Sequence, residues 1–133
     1  MITYLLGKQS DVETPRQGVP VNAVILGSFG LVDQGEMDWK VLLLESGLAE
    51  KVGVLGLADL ERVAKGYLGF LMNFFKNSKF MEGKAKNFVD FDEKVFGGEE
   101  TREIVRHYYG EYLGLLRDAE YADIRRKYHI VTE

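Results

Sequence analysis

Three carboxylates and a lysine, Asp33, Glu36, Asp38 and Lys40, fall within eight residues of one another in the stretch Leu31–Val41. Carboxylate oxygens gathered at one place are ligands for a hard divalent cation, and a neighbouring ammonium group supplies a point charge for a phosphate oxygen. An ordinary solvated turn has the same composition, so residue types alone leave both readings open. Apolar residues run into this stretch and out of it, with Gly35 in the middle, which is the pattern of a β-hairpin. Asp33 closes the first strand and Asp38 opens the second, putting both at the mouth of the turn. Asp38 and Lys40, two apart on a strand, share a face, and Trp39 points to the other.

The rest of the chain bounds what such a hairpin can serve. At 133 residues, 46% hydrophobic and 29% charged, it reads as a single globular domain over residues 1–133 with a modest core. A net charge of −4 and a pI near 5.3 argue against a nucleic-acid or anionic-membrane partner. The absence of cysteine excludes disulfides, thiolate metal sites and thiol catalysis. No apolar run approaches a membrane span and no secretory signal is visible, so a cytoplasmic location is expected.

The elements that would position the hairpin follow from periodicity. Ile2–Leu6 reads as a short strand, Gly7–Gly18 as a loop, and Val19–Phe29 as a strand in which Gly27 and Gly30 hint at a bulge. Trp39–Glu45 is the clearest strand. Ala49–Lys51 reads as a turn and Val52–Leu55 as a short strand. From Asp59 to Lys76 the period changes to that of an amphipathic helix, with Leu60, Val63, Ala64, Tyr67, Leu68, Leu71, Phe74 and Phe75 on one face. Gly66 and Gly69 weaken that helix and mark a kink or a close contact. Asn77–Asn87 is a basic loop, and Phe88–Phe91 a brief strand. Glu99, Glu100 and Thr101 open a helix whose buried stripe is expected at Ile104, Val105, Tyr108, Tyr112, Leu115 and Leu116. A polar helix closes the chain over Asp118–Tyr128. His107 and His129 have no metal-site spacing, and the tyrosines Tyr108, Tyr109 and Tyr112 read as packing residues. Strands first and helices second give an α+β class with an antiparallel sheet.

Asp33-Gln34-Gly35-Glu36-Met37-Asp38-Trp39-Lys40-Val41 resembles the Asp-x-Gly-Glu-x-Asp-Trp-Lys-Val signature of family I soluble inorganic pyrophosphatases, in particular the eukaryotic type. The likeness continues through Val24–Val32 before it and the Asp59–Lys76 helix after it. Lys79 with Glu82-Gly83-Lys84 is similar to the family's Tyr-Lys followed by Asp-Gly-Lys, and Phe88–Phe91 to its Phe-x-Phe strand. The resemblance implies a small antiparallel β-barrel of the oligonucleotide/oligosaccharide-binding type, here partial or modified, with two to three flanking helices. It also implies Mg2+-dependent hydrolysis of pyrophosphate to two phosphates, with three or four magnesium ions clamping the substrate. On that likeness Asp33 and Asp38 would be magnesium ligands, and Lys40 and Lys79 would contact the phosphates.

The chain also departs from the family. Ser78 stands where the substrate-binding tyrosine belongs. The family's Asp-x-Asp-Pro-apolar-Asp motif, counted back from Asp33, would fall at Met1–Leu6, which contains no aspartate. The chain resembles the C-terminal half of the family domain, so no residue is assigned a catalytic role and turnover is expected to be impaired or absent in this chain alone. Half a barrel leaves strand edges at Ile2–Leu6 and Val19–Phe29, which predicts either self-association or a partner subunit.

Overall fold

The computed structural model describes residues 18–130. The chain divides into two compact units, Met1–Thr101 and Arg102–Glu133. The first is built on a long hairpin of β1 (Ala23–Asp33) and β2 (Glu36–Glu45), whose antiparallel register runs from Ala23 opposite Glu45 to Asp33 opposite Glu36. Gln34 and Gly35 connect the strands with φ of 52° and 83°. Two consecutive positive φ values suit the right-handed twist of a tight hairpin, and glycine adopts one of them without strain. The register slips between Ile25 and Gly27, so the suspected bulge lies at Leu26.

On its other side β1 carries two short strands, β3 (Phe88–Val89) opposite Val32 and Leu31, and β4 (Phe96–Gly97) opposite Ser28 and Gly27. β1 is therefore interior at Gly27–Ser28 and Leu31–Val32, and the open edge expected at Val19–Phe29 is covered on this side by strand pairing only at Gly27 and Ser28. Ile2–Leu6 lies outside the described residues. The four-stranded sheet does not close into a barrel among the described residues.

β2 runs directly into α1 (Ser46–Val52), where a turn and a strand were expected. Glu45 makes the helix possible: its carboxylate accepts the free amides of Gly47 and Leu48 at 2.9 and 2.8 Å. The single helix expected over Asp59–Lys76 is two helices, α2 (Leu57–Val63) and α3 (Tyr67–Asn77). Gly66, at φ 78°, breaks them apart in a left-handed conformation, which makes it more than a kink.

The core lies on one face of the hairpin. Leu42 and Leu44 of β2 join Leu26, Leu48, Ala49, Val54, Leu60 and Leu71. A second cluster of Phe29, Leu31, Phe75 and Val89 continues the core toward the turn. Of the expected α2–α3 stripe, Leu60, Leu71 and Phe75 are buried, whereas Val63 and Phe74 are exposed. On the opposite face the buried Ser28 and Thr101 hydroxyls hydrogen-bond at 2.9 Å, and Thr101 Oγ1 donates to the Gly97 carbonyl at 2.7 Å. This fixes the start of α4 (Gly98–Arg117).

The second unit contains the rest of α4, a 3₁₀ turn at Ala119–Tyr121 and α5 (Ala122–Lys127). Arg125 ties it together by donating to the carbonyls of Leu115 and Asp118 at 2.7 and 2.8 Å. The stripe predicted on α4 is not buried: Val105, Tyr108 and Tyr112 are exposed, with Ile104, Leu115 and Leu116 only partly covered.

Candidate functional site

The even-numbered face of β2 leads from the core to a cleft. Leu44 and Leu42 are core residues, Lys40 is the next side chain along, and Asp38 is at the rim. Across the hairpin the register sets Phe29 opposite Lys40, Leu31 opposite Asp38 and Asp33 opposite Glu36. Opposed residues of an antiparallel pair project to the same side, so Asp33, Glu36, Asp38 and Lys40 share one face. Asp33, Gln34, Glu36, Met37, Asp38 and Lys79 line a cleft of about 450 Å³ at the turn.

Two ion pairs define its charge pattern. Lys40 donates to Asp38 Oδ2, and Lys79 pairs with Asp33 Oδ2. Lys40 does not line the cleft. It lies behind Asp38, with its side chain 10% exposed and its ammonium 5.2 Å from the centroid of the Phe75 ring. That contact adds a cation–π attraction to the ion pair. Lys79 is more open, with its side chain 29% exposed. The Asp33 carboxylate is the more enclosed of the two acids, and its Oδ1 is buried without a hydrogen-bond partner. A buried carboxylate oxygen with nothing to accept is costly unless a proton or a cation meets it.

Lys79 reaches the cleft from an element distant in sequence. It follows the end of α3 and precedes a single 3₁₀ turn, Phe80–Glu82, accepting at its carbonyl from the amides of Glu82 and Lys84, both at 3.1 Å. Asn87 anchors this loop. Its amide nitrogen donates to the Phe75 carbonyl at 3.2 Å, and its backbone N–H to the Lys76 carbonyl at 3.1 Å. The Ser78 hydroxyl also donates to the Phe75 carbonyl, at 3.1 Å. Lys76 pairs with Glu93, and Lys84 with Glu82 at 3.4 Å, neither lining the cleft.

The structure thus brings Asp33, Asp38 and Lys79 together at the cleft and sets Lys40 one layer behind. Sequence reasoning missed the parts played by Phe75 and Asn87. Phe75 was legible as a core residue, but its second role, over Lys40, depends on the α3–β2 packing. Asn87 carried no signal beyond its place in a polar loop. Trp39 points to the opposite face, as alternation required, in an aromatic group with Phe91 and Phe96 at centroid distances of 5.7 and 5.5 Å. His107 and His129 are exposed in the second unit. Among the described residues no three His, Cys, Asp or Glu side chains gather closely enough to hold a metal ion by themselves.

Comparison with known proteins places this geometry in context. The Pyrophosphatase family, described as inorganic pyrophosphatase, matches residues 10–113. The inorganic pyrophosphatase of Encephalitozoon cuniculi is 32% identical over 99 residues, which cover 74% of this chain and 36% of that protein. That of Mus musculus is 26% identical over 90 residues, covering 68% of this chain and 31% of that protein. Among solved structures, the type I inorganic pyrophosphatase of Toxoplasma gondii superposes with a TM-score of 0.73 at 26% identity, over 86% of this chain and 47% of that one. The Schistosoma japonicum inorganic pyrophosphatase gives a TM-score of 0.74 at 24% identity, over 86% of this chain and 39% of that one, and speaks to the fold. The chain spans about a third of the length of these curated relatives. The family match covers most of the chain and contains the whole hairpin, the cleft and Lys79, so the chain belongs to the inorganic pyrophosphatase family.

Proposed function

We propose that the cleft binds one hydrated magnesium ion through Asp33 and Asp38 and a pyrophosphate or phosphate group through Lys79, with Lys40 acting from behind Asp38 and not by direct phosphate contact, and that this chain by itself turns over little pyrophosphate. The observation that carries the reading is the buried Oδ1 of Asp33, an acceptor without a hydrogen-bond partner, beside a second carboxylate in a cleft that also holds an ammonium group. This donor set fits one magnesium ion, which uses one or two carboxylates and keeps most of its waters. It does not fit the three or four ions of the family reaction. Magnesium bound there supplies positive charge to phosphate oxygens. The protein's own part is to hold Asp38 in place through Lys40, to present Asp33 at the end of β1, and to offer the Lys79 ammonium to an anion. The Ser78 hydroxyl, engaged with the Phe75 carbonyl, adds nothing to that anion contact.

The test pairs binding with turnover. Isothermal titration of the full chain with magnesium and with inorganic phosphate is expected to give binding that Asp33→Asn and Asp38→Asn weaken. Phosphate release from pyrophosphate is expected at background rate. Magnesium-dependent release abolished by Asp38→Ala would falsify the low-turnover part and leave the binding part standing.

A second reading, a module that pairs with another subunit or with itself, draws on exposed apolar side chains of the first unit. Phe70 and Phe74 on α3 are 64% and 52% exposed, and Met81 in the following turn is 92% exposed. A monomer in sedimentation at all concentrations, with no partner recovered, would count against it.

A further inference from the structure

Resting on the reading of the cleft above only for what Lys79 meets there, we propose that Asn87 is a positioning residue for Lys79. It fastens the loop that carries Lys79 to the end of α3 on one side and to β3 on the other. Asn87 is 7% exposed, so its amide has to find partners inside the protein. Its Nδ2 donates to the Phe75 carbonyl at 3.2 Å, and its backbone N–H to the Lys76 carbonyl at 3.1 Å. Both acceptors belong to the last turn of α3, where an α-helix by itself leaves carbonyls unpaired.

The residues that follow make Asn87 a bridge. Phe88 and Val89 form β3, which pairs with Val32 and Leu31 of β1. Asp33 comes directly after Val32. One asparagine thus joins the helix end from which the Lys79 loop departs to the strand end that presents Asp33. Within the loop the Lys79 carbonyl accepts the amides of Glu82 and Lys84, both at 3.1 Å, so its backbone is held as well. Lysine has a flexible four-carbon stem, and the cost of keeping its ammonium on Asp33 depends on where that backbone is fixed.

Ser78 supplies a second hold. Its hydroxyl donates to the same Phe75 carbonyl at 3.1 Å, so two side chains, one on either side of Lys79 in sequence, converge on one acceptor. A carbonyl oxygen carries two lone pairs and can accept both. The ring of Phe75 meanwhile lies 5.2 Å from the Lys40 ammonium. The last turn of α3 therefore sets both lysines against the hairpin, Lys40 through the Phe75 ring and Lys79 through the Phe75 carbonyl. Alanine at position 87 would keep the backbone bond to Lys76 and lose the side-chain bond, which isolates the part assigned to the amide.

The experiment is a double-mutant cycle of Asp33→Asn and Lys79→Met, read by urea unfolding of the full chain at low salt and repeated with Asn87→Ala in every member. In the wild-type background the two residues are expected to be coupled by about threefold in the unfolding equilibrium constant. With Asn87→Ala that factor is expected to fall to about one. A residue that only adds stability lowers all four members equally and leaves the coupling intact, so persistence of the threefold factor overturns the proposal. Absence of coupling in the wild-type background overturns it too, because there is then no placement to keep. Inorganic phosphate serves as a second probe: Asn87→Ala is expected to weaken its binding severalfold, with no further loss when Lys79→Met is already present. Undiminished phosphate binding in Asn87→Ala contradicts the proposal, whereas a wild-type chain that binds no phosphate counts against the reading of the cleft alone, since the unfolding cycles use no ligand. Should Asn87→Ala fail to fold by circular dichroism, hydrogen exchange of the wild type decides: the amides of Glu82, Lys84 and Asn87 are expected to be slowed by about tenfold or more over an unfolded chain, and unprotected amides there overturn the proposal.

Discussion

At the residue scale, the cleft shows how neighbouring charges acquire separate tasks. Asp38 is 39% exposed, yet its partner Lys40 is nearly buried, so the pair is asymmetric. Removing the acid strands a buried ammonium group, whereas removing the lysine frees an acid that water can reach. Asp38→Ala is therefore expected to lower the unfolding free energy by about 1–3 kcal/mol, below the figure for a fully buried pair. Lys40→Met, which keeps contact with Phe75, should cost less, and urea unfolding of the two variants checks the order. Glu45 offers a pH test. Backbone N–H groups of Gly47, then Leu48, hold its carboxyl below the ordinary value of 4.5. A lowered folded-state pKa contributes stability that is present above the unfolded value and lost as pH falls through the folded one. Wild type and Glu45→Gln should thus converge in thermal stability as pH drops below about 4.5 and differ above it.

At the element scale, the hairpin was legible because its chemistry and its period agree. Residues 31–41 alternate across a turn that contains glycine, and the register places Asp33, Asp38 and Lys40 on one face as alternation demands. Gly27 signalled the bulge, and the reason is a close approach: a Cβ there would lie 2.4 Å from the Phe96 carbonyl oxygen and 3.0 Å from a Leu57 methyl. Gly27→Ala must push β4 or α2 away and is expected to destabilise by about 1–3 kcal/mol, measured by denaturant unfolding. α1 was missed because its cap is a glutamate, a residue type with weak capping preference, and because Gly47 sits in its first turn. The break between α2 and α3 was only half legible. A glycine in a helical pattern signals weakness, but whether it bends or ends the helix is settled by packing.

At the scale of the whole molecule, burial is unevenly shared. Every buried core side chain described lies at or before Thr101, and the stripe read on α4 from its period is largely open. Periodicity reports that a face is apolar; it cannot report what covers that face. Hydrogen exchange should reflect the difference. Amides of β1 and β2 are expected to be the most protected, and those of residues 102–130 to exchange much faster. Equal protection of the two units would contradict this account of where the stability resides. The family, too, was legible from one short signature, because the hairpin holds in a few adjacent positions the groups that a phosphate site needs. What lay beyond reading was Lys79's partner, since the contact joins residues 46 positions apart.

The chain's one tryptophan sits in the middle of this hairpin, between Asp38 and Lys40 in sequence but on the reverse side of the sheet, stacked at 21° to Phe91. Its indole therefore never touches whatever enters the cleft, yet it shares a backbone with both charged neighbours. That makes Trp39 an optical gauge of the strand itself. A change in its emission on titration reports a shift of β2, while binding with unchanged emission reports a cleft that was preformed.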